Sequence, residues 1–408
     1  MLISALCRFL THLFFSRVGV LHAERIPTSG PVIIVANHHS ALVDPMVLLA
    51  TLERQPRFMA KAVLWDWKYL PLRPILRLAR AVPVHRVKDG GGDNSAMFAA
   101  TREVLLDGGM VAVFGEGVSH DMPGLKDLKT GPARIALGTP TETSVIPVGL
   151  VFPDRPRYRS TVTVVVGDPL VVSGSEGGDA DRNAVHIVTR DLTAALGKVA
   201  PTWEYQDDQH AAHTAASVVA ARHDVTEGEV LNRINRALDA ENPIATDVLN
   251  ASKDLLDECQ LLDVELKHVL DENAGLGALA RSARFRAVLW VLPTILGHIV
   301  NYPAYLTVDL IARRNDYNFQ ATSKLLAGAL VYPAWWLMLF VGTWWGVSLG
   351  WAVVVALSAI VGGYIAGAKM RLVKSFNAHM SAEENHTDLS SLERLFDDVL
   401  RAVDQLPR

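Results

Sequence analysis

Cysteine is nearly absent: Cys7 and Cys259 are the only two in 408 residues, far apart and without Cys-x-x-Cys spacing. Neither a disulfide framework nor a zinc site is therefore encoded. A Gly-x-Ser-x-Gly elbow is missing as well, which removes the usual nucleophile of a serine hydrolase. No small-residue cleavage site follows the apolar start Met1–Val20, which Arg8, His12 and Arg17 interrupt, so a secretory signal is not expected. Charge is absent from one long stretch: Leu325 to Ala368, 44 residues, holds no Asp, Glu, Lys or Arg. At the rise of an α-helix that run spans roughly 66 Å, about twice a hydrocarbon core, and implies a transmembrane helical hairpin turning near Gly342 to Gly350.

What is present is unevenly distributed. The formal net charge is −4, yet residues 1–89 carry 12 Lys/Arg against 5 Asp/Glu, whereas residues 174–280 carry 8 against 20. The basic half is the one expected to handle anions, either a ligand or an anionic membrane face. Its cations lie among apolar and aromatic residues such as Trp65 and Trp67, which argues against nucleic acid. Residues 1–30 are expected to hold a membrane-associated helix lying in the interface, with Leu2, Leu6, Phe9 and Leu13 near one face. An ordinary first helix packed on the domain stays open as an alternative.

Residues 31–173 alternate between strand and helix patterns. Pro31–Ala36 is a buried-strand run, followed by a loop with Asn37-His38-His39-Ser40 and a helix opening at Asp44-Pro45. Val82–Val84, Met110–Phe114, Val145–Val151 and Thr161–Val166 are further strands; Ser95–Leu106 and Gly131–Gly138 are helical. The fold class is therefore α/β, a mixed sheet flanked by helices. Pro147 predicts an edge strand or bulge there. Gly174–Gly178 is an exposed loop within an acidic helical region, 174–280. The membrane region is placed at 281–374, with helices at about 325–345 and 347–368 and a C-terminal helix over 375–408. Ala287 to Val308 is apolar but contains Pro293, His298, Asn301 and Pro303 and has arginines at both ends, which predicts a re-entrant or interfacial segment over 287–312. Trp335, Trp336, Trp344 and Trp345 are expected as interfacial anchors, and the basic residues flanking the hairpin place both of its ends on the cytoplasmic side.

Esterifying a phosphorylated alcohol requires a base for the hydroxyl, a group orienting that base, and cations for the phosphate. The chain offers each in order. A neutral His38 or His39 can take a proton while Asp44 fixes its tautomer and stabilises the imidazolium. Arg86, after Val82-Pro83-Val84-His85, suits a bidentate phosphate contact. Then comes the polar loop Phe114-Gly115-Glu116-Gly117-Val118-Ser119-His120-Asp121, with Leu128-Lys129-Thr130-Gly131 opening the next helix; backbone amides there and Lys129 suit an anion. A metal held by His38, His39 and Asp44 lacks further ligands at recognisable spacing.

Taken as an ordered set, these blocks resemble the glycerophospholipid acyltransferase family, and most closely its fungal glycerol-3-phosphate/dihydroxyacetone-phosphate branch and bacterial relatives. An Asn-His followed by an Asp, an Arg after a short strand, a Phe-Pro-Glu-Gly-type loop and a Val-x-Pro strand recur across residues 18–170. The resemblance implies transfer of an acyl chain from acyl-CoA or acyl carrier protein to glycerol 3-phosphate, dihydroxyacetone phosphate or lysophosphatidate. It also implies no metal or redox cofactor and a membrane-bound enzyme with its catalytic domain on the cytoplasmic side of a bacterial inner membrane, or of the endoplasmic reticulum in a eukaryote. Catalytic His38, His39 and Asp44 follow from it, and so do substrate contacts by Lys61, Arg86, Glu116, Gly117, Ser119, His120 and Lys129. Glu116 is suited to organising nearby amides or cations rather than touching phosphate, since like charges repel. The chain departs from the family at Gly115, where Pro is usual, and at Val118-Ser119, where Thr-Arg is usual; Lys129, His120 or Lys126 then has to replace the missing Arg. The common four-residue spacing before the Asp selects His39, whereas the Asn-His pair selects His38. A lysophospholipid remodelling transacylase and a catalytically silent membrane adaptor are the competing functions.

Overall fold

The structure, a computed structural model, describes residues 2–62, 76–77, 80–84, 95–120, 122, 124–153, 155–174, 181–201, 203, 205–261, 279–384 and 390–407. The chain divides into two compact units, one built from residues 1–153 and 161–204, the other from 154–160 and 205–408.

The first unit is a mixed sheet with flanking helices. Its elements are α1 (Leu2–Phe14), β1 (Arg17–Leu21), β2 (Val32–Ala36), α2 (Val43–Thr51), β3 (Arg57–Lys61), β4 (Val82–Val84), α3 (Ser95–Leu106), β5 (Met110–Phe114), α4 (Gly131–Leu137), β6 (Thr143–Val151), β7 (Thr161–Val166), β8 (Leu170–Val172) and α5 (Arg182–Gly197). The strand order is β1-β7-β6-β2-β5-β3-β4, with β8 also pairing with β6. From β6 through β2, β5 and β3 to β4 every pairing is parallel; β7 and β8 run antiparallel to β6. Strands covered on both faces read as unbroken apolar runs. The central β2, Val-Ile-Ile-Val-Ala, is one, with every side chain at most 1% exposed. Each such Val or Ile contributes about 1.5–3 kcal/mol of transfer free energy, which fixes β2 as the spine on which the following loop hangs.

Several expectations need correction here. Residues 1–30 are not helix alone, since Arg17–Leu21 forms β1, parallel to β7 at the sheet edge. A five-residue strand is too short for its alternation to stand out in the sequence. Pro147 does not mark an edge: it lies opposite Val35 of β2. Its missing N–H points to the other side of β6, where the pairing changes from β8 (Thr143–Val145) to β7 (Val148–Val151) and the Pro147 carbonyl still accepts the Gly167 N–H. Basic residues near the N-terminus are partly consumed inside the fold. Arg54 donates to the carbonyls of Pro27, Gly30 and Gly108, and Arg25 to that of Val166. Helix α1 buries Ile3, Cys7 and Phe14 and leaves Leu2, Leu6, Phe9 and Leu13 exposed, so it is packed on one face and apolar on the other.

The second unit is helical: α6 (Gln206–Arg222), α7 (Glu227–Asp239), α8 (Pro243–Leu261), α9 (Leu279–Arg313), α10 (Tyr317–Gly346), α11 (Leu349–Glu384) and α12 (Ser390–Asp404). Thr226 and Glu229 form a capping box at the start of α7. The Arg233 guanidinium closes the far end of α12 by donating to the carbonyls of Val403 and Leu406. The acidic stretch 174–280 is thus not one region: α5 belongs to the sheet unit and α6–α8 to the helical one.

The apolar C-terminal part forms three packed helices, α9, α10 and α11. Phe319–Gly346 and Leu349–Ala366 are long and apolar enough to cross a membrane, with mean hydropathy 1.8 and 2.0, and they are separated only by Val347 and Ser348. The segment 287–312 is not re-entrant, because it runs inside one continuous helix of 35 residues despite Pro293 and Pro303. Packing explains the continuity. A Cβ on Gly297 would collide with the Gly362 carbonyl, so the two backbones touch. Buried Asn301 donates to the carbonyls of Gly297 and Ala359 and accepts from Trp336 Nε1, joining all three helices. Trp335 likewise donates to Val300 O. These two tryptophans are hydrogen-bonded to α9, while Trp344 and Trp345 are exposed at the end of α10. Residues 375–384 continue α11, so the separate C-terminal helix begins only at Ser390.

Candidate active site

Parallel strands deliver their carboxyl ends to one edge of a sheet, and the loops there are where ligands bind in open α/β folds. In this chain β2 ends at Ala36 opposite Phe114, the last residue of β5. The loops beginning at Asn37 and Gly115 therefore leave the sheet side by side.

The first loop is pinned at its base. Buried Asn37 donates through Nδ2 to Leu150 O and accepts the Leu150 N–H on Oδ1, at 3.0 and 2.7 Å, so both polar ends of its amide grip β6. Next, His38 Nδ1 lies 2.8 Å from Asp44 Oδ2. Asp44 sits in the first turn of α2 and is fully buried; the same Oδ2 also accepts the N–H groups of His39 and Ser40, each at 2.7 Å. A carboxylate can only accept, so the shared proton is on His38 Nδ1 and Nε2 carries the lone pair. The His38 ring stacks on Phe114, with centroids 4.1 Å apart and planes 13° from parallel, and its side chain is 14% exposed, enough to meet a substrate atom.

His39 is placed differently. Its Nδ1 faces the His120 carbonyl at 3.3 Å, and its backbone N–H donates to Asp44. Of the two histidines the sequence offered, geometry pairs the His38 ring with the carboxylate, with five residues between them rather than four.

The second loop closes over the first. Gly115 N–H donates to Ala36 O, continuing the β2–β5 ladder by one residue, a bond that a proline could not make. A Cβ at Gly115 would also lie 2.6 Å from Leu128 Cδ2. Buried Glu116 spends both oxygens on the protein: Oε1 accepts His38 N–H at 2.8 Å, and Oε2 accepts Lys126 N–H at 2.8 Å together with His120 Nε2. Burial pushes the Glu116 carboxyl up, but those bonds from His120, Lys126 and His38 and the adjacent imidazole outweigh it and hold its pKa below the ordinary value. Gly117 turns the chain with φ +72°, in the left-handed region, and packs against the Lys129 side chain.

His120 was expected to contact substrate. It is 5% exposed, its Nδ1 accepts the Met122 N–H and its Nε2 donates to Glu116, so both ring nitrogens are engaged within the protein. Glu116 likewise has both carboxylate oxygens engaged by the protein. Ser119 is half-buried and Lys129 exposed beside Gly117. Lys61 ends β3 at the same sheet edge, but its side chain and the whole of Arg86 lie outside the described residues. Among the described residues no group of three or more His, Cys, Asp or Glu is placed to hold a metal. Sequence reasoning missed Asn37 and Phe114 as supports of the His38 loop and ring; the Asn-His pair and the aromatic residue ending β5 were the available signals.

An acyltransferase family model matches residues 17–151. Glycerol-3-phosphate O-acyltransferase 2 of Saccharomyces cerevisiae is 36% identical over 115 residues, covering 26% of this chain and 16% of that protein. Glycerol-3-phosphate O-acyltransferase 1 of the same yeast is 28% identical over 120 residues, 27% of this chain and 16% of its own. The matched stretches thus span about a sixth of the yeast proteins' length. The crystal structure of the 1-acyl-sn-glycerophosphate (LPA) acyltransferase PlsC from Thermotoga maritima is similar with a TM-score of 0.37 and 20% identity, over 50% of this chain and 80% of that one. The family model and the yeast matches fall on the sheet that carries His38 and Asp44, so it is this part of the chain that is similar to acyltransferases.

Proposed function

We propose that this chain is a membrane-bound O-acyltransferase that esterifies glycerol 3-phosphate with a fatty acyl group from acyl-CoA or acyl carrier protein. The observation that carries the reading is the His38–Asp44 pair, 2.8 Å apart, with Nε2 of a partly exposed imidazole aimed away from the carboxylate. The yeast relatives, named for acylation of glycerol 3-phosphate, favour that acceptor over dihydroxyacetone phosphate and lysophosphatidate.

In this mechanism His38 Nε2 takes the proton of the acceptor hydroxyl as its oxygen attacks the thioester carbonyl. The resulting imidazolium is stabilised by Asp44. The C–S bond then breaks, the thiolate leaves with the proton from His38, and the ester is released without an acyl-enzyme. Lys129, exposed beside Gly117, meets the acceptor phosphate, with Lys61 and Arg86 as further cations. With His120 engaged by Glu116, Lys129 and Lys126 take the place of the family's usual Arg. Helices α10 and α11 cross the bilayer as a hairpin with both ends cytoplasmic, and the apolar face of α1 lies in the interface.

The test is transfer of labelled acyl from acyl-CoA, and separately from acyl carrier protein, by detergent-solubilised protein to each of the three acceptors. Transfer to glycerol 3-phosphate with Lys129→Gln raising its KM supports the reading. Transfer only to lysophosphatidate replaces the acceptor, and a folded protein inert with every pair removes the function.

A further inference from the structure

Resting on the assignment of His38 as the base, we infer that His120 is a positioning residue, which with Glu116 clamps the backbone of His38 and so sets where Nε2 points. The His38 N–H is held by Glu116 Oε1 at 2.8 Å. Its C=O accepts the His120 N–H at 3.1 Å. Both polar groups of one residue's backbone are thereby tied to a single five-residue loop. That loop is in turn fixed to the sheet by the Gly115–Ala36 bond at 3.1 Å and by Lys129 N–H on Gly115 O at 2.8 Å.

Side-chain contacts complete the restraint. Asp44 fixes the ring through Nδ1 and Phe114 covers one face. Glu116 holds its place only if its second oxygen is satisfied, and that oxygen's partners are Lys126 N–H and the His120 ring. The ring is in turn oriented by Met122 N–H at 3.2 Å on Nδ1, which forces the proton onto Nε2 and towards Glu116. The chain Met122–His120–Glu116–His38 thus ends on the base, and its middle members are 5% and 1% exposed. A merely space-filling loop would not need a buried carboxylate, whose satisfaction takes three donors.

His120→Ala frees Glu116 Oε2 and lets the loop relax, whereas His120→Gln restores an N–H at the Nε2 position. A displacement of about 1 Å at a reacting group lowers turnover on the order of 10²-fold. The expected result is therefore a kcat fall of about that size in His120→Ala with the KM for glycerol 3-phosphate little changed, and recovery of most of kcat in His120→Gln. Carbethoxylation of His38 by diethylpyrocarbonate, followed by peptide mass spectrometry, is the readout independent of transfer: the rate rises several-fold in His120→Ala and returns to the wild-type value in His120→Gln. A raised KM with unchanged kcat would make His120 a substrate contact and overturn the inference. So would His38 reacting at the wild-type rate in His120→Ala. If wild-type protein transfers no acyl group, the proposed reaction fails while the carbethoxylation rates still decide the clamp.

Discussion

Asp44→Asn separates the shape of the dyad from its charge. All three hydrogen bonds to the Asp44 side chain, from the His38 ring and from the N–H groups of His39 and Ser40, land on Oδ2. An asparagine that points its carbonyl oxygen to that spot keeps all three donors, so the loop and the His38 tautomer survive. What disappears is the negative charge beside the imidazolium. Two opposite unit charges at about 4 Å attract by about 4 kcal/mol at an effective dielectric constant near 20. At about 1.4 kcal/mol per decade that is on the order of 10³-fold in kcat. The asparagine Nδ2 takes the place of Oδ1, which is buried without a partner among the described residues, adding a stability loss of about 1–3 kcal/mol. Asp44→Ala leaves three donors stranded and is less stable still. Steady-state acyl transfer beside thermal melting measures both effects. A folded Asp44→Asn protein retaining more than about a tenth of wild-type kcat would refute the charge argument.

Further predictions concern stability. The pKa of Glu116 lies below its ordinary 4.5, so its contribution is present above that value and is lost as pH falls through the lower folded value. Glu116→Gln is therefore less stable at neutral pH and has a flatter acid limb below about pH 4.5 in melting curves. His213 in α6 has Nδ1 sealed from solvent without a partner among the described residues, and burial, with His210 nearby, pushes its pKa down to about 4. The unfolded chain binds that proton from its ordinary 6.5 downward, so stability falls between pH 6.5 and 4, and His213→Gln reduces that slope in pH-dependent melting. Gly297→Ala drives a Cβ into the Gly362 carbonyl and is expected to lower the melting temperature of the detergent-solubilised protein more than Gly328→Ala, whose Cβ meets only the Tyr332 ring edge at 3.9 Å.

Much of the sheet was legible because strands covered on both faces are chemically plain. Val32–Ala36 and Met110–Phe114 are unbroken apolar runs and Thr161–Val166 is β-branched throughout, and the structure has all three as strands. Short strands whose partners lie far off in the chain were not: Arg17–Leu21 pairs with residues more than 140 positions away, and Arg57–Lys61 carries a cation at each end. Pro147 misled because its tolerance depends on where a neighbouring ladder stops, which is a tertiary fact. Likewise Pro293 and Pro303 suggested a break in α9 that the Gly297–Gly362 contact and the Asn301 bonds make unnecessary. At the site, residue types were legible and roles were not. Nothing local distinguishes His38 from His39; the choice is made by which ring reaches Asp44. The sequence does not show that His120 is held inside the loop, because its partners, Glu116 and Met122, are identifiable only once the loop is folded.

The central claim is that His38, not His39, is the base of an acyl transfer to a phosphorylated glycerol. The most direct measurement is kcat for labelled acyl transfer to glycerol 3-phosphate by His38→Ala and His39→Ala proteins of equal folded fraction. The expected loss is about 10²–10⁴-fold for His38→Ala, with a much smaller effect for His39→Ala. Equal losses, or a larger one for His39→Ala, would contradict it.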